Sequence, residues 1–112
     1  MGSALEGHHR IDRRSLALHC AIADKLRTNP ALLEIARENL DRWSIANGRS
    51  QPYWDAWREI LSRPFEDVLT LIVEDSERMT ALRQATPFAG ILEPQERWTI
   101  YASFESSRSR AT

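Results

Sequence analysis

Cysteine is almost missing from this chain: Cys20 stands alone. One thiol cannot close an internal disulfide, and it cannot build a cysteine-rich zinc site. A reducing compartment fits that usage best. Lysine is equally scarce, since Lys25 is the only one and the other 14 of 15 basic side chains are Arg. A genome that favours Arg codons accounts for the bias; selection for the planar guanidinium fork at a partner surface is the functional alternative. With four glycines in all, there is no phosphate-cradling loop and no G-x-S-x-G elbow. No apolar run approaches the roughly 20 residues that span a bilayer. The opening MGSALEGHHR carries no apolar core of a secretory signal. The expectation is a cytoplasmic protein with no membrane among its partners. Charge of one sign is also lacking. A net charge of −1 creates no global field toward nucleic acid or an acidic membrane.

What remains describes one small helical domain. A chain of 112 residues with 42% apolar side chains can bury one core. The expected architecture is all-α, a compact single domain of about five to six short helices. Residues 1–10 read as a flexible lead, 11–105 as the helical domain and 106–112 as a flexible tail. Asp12 is the expected cap of a first helix running to about Arg27, with Leu18, Ile22 and Leu26 as its stripe. Asn29 would cap a second helix and Pro30 would take its first position. Leu33, Ala36, Leu40 and Trp43 then repeat at threes and fours, and Asn47-Gly48 stops that helix. A third helix places Tyr53, Ala56, Trp57, Ile60 and Leu61 on one face until Arg63-Pro64 breaks it. The run LTLIV within 65–73 is ambiguous between helix and buried strand. Helix is preferred because no second strand is available to pair with it. Asp75 or Ser76 caps a short fifth helix from Glu77, and Thr86-Pro87-Phe88-Ala89-Gly90 forms a turn with a buried aromatic. Glu93-Pro94 opens the last helix, with Trp98 and Tyr101 facing inward.

Candidate chemistry is thin. His8, His9, His19 and Cys20 are the only soft ligands, and their two adjacent pairs cannot converge on one face of a helix. No metal and no cofactor is expected. Cys20, in an apolar helical context, reads as a small core residue. Glu66, Asp67, Glu74, Asp75 and Glu77 form an acidic stretch, read either as helix starts and solvated surface or as a patch for a basic partner. Arg10, Arg13 and Arg14 are the only compact basic run. Trp54 falls off the inner face defined by Tyr53 and Trp57. It belongs either at a partner surface, where Trp and Arg are the commonest anchors, or under the neighbouring loop.

Two resemblances follow. Arg14, four residues and then His19 resembles the ribonuclease motif of HEPN domains, in which Arg and His from two subunits meet. That family places the motif late, whereas here it falls in the first helix. The segments RRSLALHCAIADKLRTNPALLEIARENLDRW and SERMTALRQATPFAGILEPQERWTIYASF resemble short, Arg-rich bacterial proteins similar to the antitoxins of two-gene toxin–antitoxin modules. The likeness covers about residues 10 to 104 and implies no catalytic residues. The expected function is a non-enzymatic, antitoxin-like interaction module that binds and neutralises a partner protein. Trp54, Arg58, Arg49 and Asp75 are its expected contacts. The alternatives are a DNA-binding autoregulator using Arg10, Arg13 and Arg14, and a HEPN-like ribonuclease using Arg14 and His19. A homo-oligomer stays open as well.

Overall fold

The computed structural model describes the backbone of residues 2–46 and 51–111, with side chains over 13–45 and 51–103. Six α-helices follow one another: α1 (Gly2–Thr28), α2 (Leu33–Ala46), α3 (Gln51–Leu61), α4 (Phe65–Ile72), α5 (Glu77–Arg83) and α6 (Pro94–Ala111). A single 3₁₀ turn, Pro30–Leu32, leads into α2, and no strand occurs among the described residues. The architecture is all-α.

Each boundary has a local cause. The backbone of α1 is already helical at Gly2, upstream of the expected cap at Asp12. No proline interrupts residues 2–11, and Ala4, Leu5 and Glu6 are good helix formers. Pro30 opens the 3₁₀ turn and not α2 itself, and the Asn29 side chain caps nothing. The Asn29 carbonyl serves instead, accepting from the Leu32 N–H at 3.1 Å. The ambiguous LTLIV run is helix: Val68, Leu69 and Ile72 are the buried side chains of α4. Their three- and four-residue spacing gives a single buried stripe. Ser76, one of two candidates, caps α5 by accepting the Met79 N–H at 3.2 Å. The turn after α5 buries Phe88, and Gly90 takes a φ of +95°, which side chains with a Cβ rarely adopt.

Helix α1 packs against α4, α5 and α6, while α3 packs against α2, α4 and α5. Trp57 of α3 sits where these layers meet, fully buried. Its ring meets Phe88 edge-on, with centroids 5.5 Å apart, a favoured aromatic arrangement. Helix α6 runs antiparallel to α1. Lys25 pairs with Glu96 at 2.6 Å, and further along the pair the Arg14 guanidinium lies 4.9 Å over the Tyr101 ring.

Three inward expectations are corrected. Trp98 is 68% exposed, because α6 meets the body through Ile100 and Tyr101. Trp98 and Ile100, two residues apart, are more than half a turn apart around the helix. Tyr53 is 42% exposed, since the buried side chains of α3 are Trp57, Ile60 and Leu61. Cys20 is exposed; the inward place on that turn of α1 belongs to His19.

Candidate functional site

Helix ends leave carbonyls without partners, and a buried end must find donors elsewhere. Here long-range side chains supply them. At the end of α4, His19 Nδ1 donates to the Ile72 carbonyl at 2.9 Å. Arg83 Nη1 reaches the same carbonyl at 3.4 Å and the Glu74 carbonyl at 2.9 Å. At α5, the Trp57 indole donates to the Leu82 carbonyl at 3.0 Å. At α3, Arg37 donates to the Leu61 carbonyl at 3.3 Å. Asn39 does the same for the turn after α5, giving its amide hydrogens to Pro87 and Ala89 carbonyls at 2.8 and 2.9 Å. Arg42 donates in turn to the Asn39 side-chain oxygen.

The partners of His19 determine its state. A carbonyl only accepts, so Nδ1 carries the proton and Nε2 accepts from the Thr86 hydroxyl at 2.9 Å. That hydroxyl oxygen also accepts the Phe88 N–H at 3.2 Å. Burial pushes the His19 pKa down to about 4; the Ile72 carbonyl opposes this and the Arg83 charge adds to it. The ring is 2% exposed and neutral at neutral pH, with both nitrogens engaged. It offers no base to a substrate. Arg14, exposed and laid over Tyr101, does not join it: five residues along α1 place the two about 140° apart around the axis.

Beside this centre, α1, α6 and the segment after α5 enclose a half-open pocket of about 160 Å³, lined in part by His19, Arg83, Phe88 and Arg97.

The second candidate lies on the opposite kind of surface, where α2 meets α3. Trp54 is half-buried against Trp43, ring centroids 5.0 Å apart. Arg58 bridges back to α2, donating to Asp41 at 3.0 Å and to the Ser44 hydroxyl at 2.9 Å. Ile45, at the end of α2, is 86% exposed, and Tyr53, in the first turn of α3, is 42% exposed. The structure thus brings Trp54 and Arg58 onto one corner. Asp75 is exposed on the α4–α5 link, and no hydrogen bond or ion pair among the described residues joins it to them. Glu66, Asp67, Glu74 and Glu77 are exposed too, with the first two in the opening turn of α4. Arg13 is exposed on α1. Arg49 and the side chains of Arg10, His8 and His9 lie outside the described residues, as does the Asn47-Gly48 stop.

Sequence reasoning missed Ile45, Asn39 and Arg83. Asn39 carried a signal: it follows Ala36 by three and precedes Leu40, so it interrupts the inner face of α2 with an amide. Arg83 carried none, because an Arg in a last helical turn normally serves the helix dipole from the surface.

Among the described residues, no group of three or more His, Cys, Asp or Glu side chains is placed to hold a metal ion. No described helix is long and apolar enough to cross a membrane. Compared with known proteins, the chain matches no family model, no curated protein and no solved structure.

Proposed function

We propose that this chain is a non-enzymatic protein-interaction module, antitoxin-like in action, that binds and neutralises a partner protein through the α2–α3 corner. One observation carries the reading. Of the three large apolar side chains left exposed among the described residues, two, Ile45 and Tyr53, belong to the facing ends of α2 and α3, the two helices that carry the Trp43–Trp54 pair and Arg58. Aromatic side chains with Arg are the composition of interface hot spots. Asp41 and Ser44 already hold the Arg58 guanidinium in place, so binding orders it at little further cost. The exposed carboxylates around Asp75 offer a second, polar surface to a basic rim on the same partner.

The first test retrieves the partner with tagged protein from the native host at low salt and identifies it by mass spectrometry. A stoichiometric protein whose affinity falls with Arg58→Ala and Trp54→Ala supports the reading. An eluate with nucleic acid and no protein contradicts it and favours duplex binding through Arg10, Arg13 and Arg14, which salt would weaken steeply.

A further inference from the structure

The pocket between α1, α6 and the segment after α5 has a one-sided chemistry. Leu18, Ile22, Phe88 and Leu92 give it an apolar lining. Arg83 and Arg97 also line it, and no carboxylate does among the described residues. Arg83 is buried and held in place by the Glu74 carbonyl and the Thr80 hydroxyl. Arg97 is exposed on α6 and forms no ion pair among the described residues. Its neighbour Glu96 does not compete for it. That carboxylate takes the Lys25 ammonium at 2.6 Å and the Glu93 N–H at 2.7 Å. A third guanidinium, that of Arg14, lies 4.9 Å over the ring of the lining residue Tyr101.

Size narrows the ligand. An apolar cavity of about 150 Å³ holds one benzene ring, and this pocket offers about 160 Å³. Ligand pockets combine an apolar lining with a few polar groups that orient the guest. Guanidinium groups match carboxylates in charge and in planar geometry. We propose that the pocket binds a small amphipathic carboxylate with a body about one ring in size, its apolar part against Leu18, Ile22 and Phe88 and its carboxylate on Arg97. The assignment is independent of the α2–α3 corner and gives the protein a small-molecule ligand in addition to a protein partner.

The test is an amide NMR titration of the full chain with benzoate at constant ionic strength. Benzyl alcohol and inorganic phosphate serve as comparators. Benzoate should give saturable shifts at Ala89, Gly90 and Arg97 in the millimolar range, as expected for so small a ligand. Benzyl alcohol should bind at least about tenfold more weakly, and phosphate should give no saturable shift, because each lacks one half of the recognition. Arg97→Gln, a surface change, should weaken benzoate about tenfold without lowering the melting temperature. Three results would overturn the proposal: benzoate shifts that stay linear, phosphate or benzyl alcohol binding as tightly as benzoate, or benzoate affinity unchanged in Arg97→Gln.

Discussion

Trp57 and Trp54 stand three residues apart on α3 and do different work. Trp57 is closed off from solvent, with its indole hydrogen committed to the Leu82 carbonyl and its ring against Phe88. Trp54 is half-buried against Trp43, beside the exposed Tyr53. Two arginines, Arg83 of the buried centre and Arg58 of the corner, differ in the same way. Arg83 is buried and bonded to backbone carbonyls, whereas Arg58 is exposed and bridges Asp41 and Ser44. In the centre, polar groups serve as struts that satisfy carbonyls at helix ends, so removing one leaves a buried acceptor without its donor. At the corner, the exposed Arg58–Asp41 pair adds little stability, and the half-buried Trp54 keeps part of its surface open to solvent.

The largest expected contrast comes from deleting the two kinds of anchor. Trp57→Ala should cost about 3–5 kcal/mol through the lost ring and the cavity it leaves, read as a shift of the urea midpoint. A loss under about 1 kcal/mol would mean that the centre is not packed as described. Next is His19→Phe, which removes the donor to Ile72 and the acceptor for Thr86 and should cost about 1–3 kcal/mol.

That variant also changes the response to acid. The folded-state pKa of His19 is depressed to about 4 from 6.5, so the unfolded chain binds more protons between those values. Its contribution to stability is fully present above about pH 6.5 and is lost as pH falls toward 4, with a slope of at most about 1.4 kcal/mol per pH unit. The His19→Phe chain should lack this component. Identical slopes for the two proteins over pH 4 to 6.5 would remove His19 from the buried role. Gly90→Ala should cost roughly 1–2 kcal/mol, from the left-handed backbone alone. A Cβ there meets only Ile35 at an ordinary 3.8 Å. Smallest of all, Arg58→Ala should change stability by no more than about 1 kcal/mol while weakening partner binding by about 2 kcal/mol.

Much of the helical order could be read directly, because it rests on local chemistry. Pro64 and Pro94 mark helix starts, Ser76 caps α5, and the Leu33–Ala36–Leu40 stripe faces the core as its period requires. Phe88 between Pro87 and Gly90 was recognisable as an anchored turn for the same reason. The errors lie where a helix has too few partners to fix its rotation. Helix α6 packs mainly on α1, so Trp98, which fits a helical stripe, is left outside. His19 and Cys20 are neighbours in an apolar stretch, and only the position of the Ile72 carbonyl, 53 residues away, decides which turns inward. The corner was half legible. Trp54 was expected off the inner face of α3, and it is half-buried there, but its contact with Trp43 and the bridge from Arg58 to α2, like the exposure of Ile45 and Tyr53, depend on how α2 and α3 close on each other.

In the proposed function, binding of the partner protein belongs to the α2–α3 corner, and the hydrogen bonds of the buried polar centre belong to the fold. This division is tested most directly by the calorimetric Kd of the purified partner for wild type and for the Ile45→Ala/Tyr53→Ala double variant, with melting temperatures measured alongside. The account predicts affinity weakened about 30-fold or more, equivalent to about 2 kcal/mol, at a nearly unchanged melting temperature. An unchanged Kd in a folded double variant would contradict it.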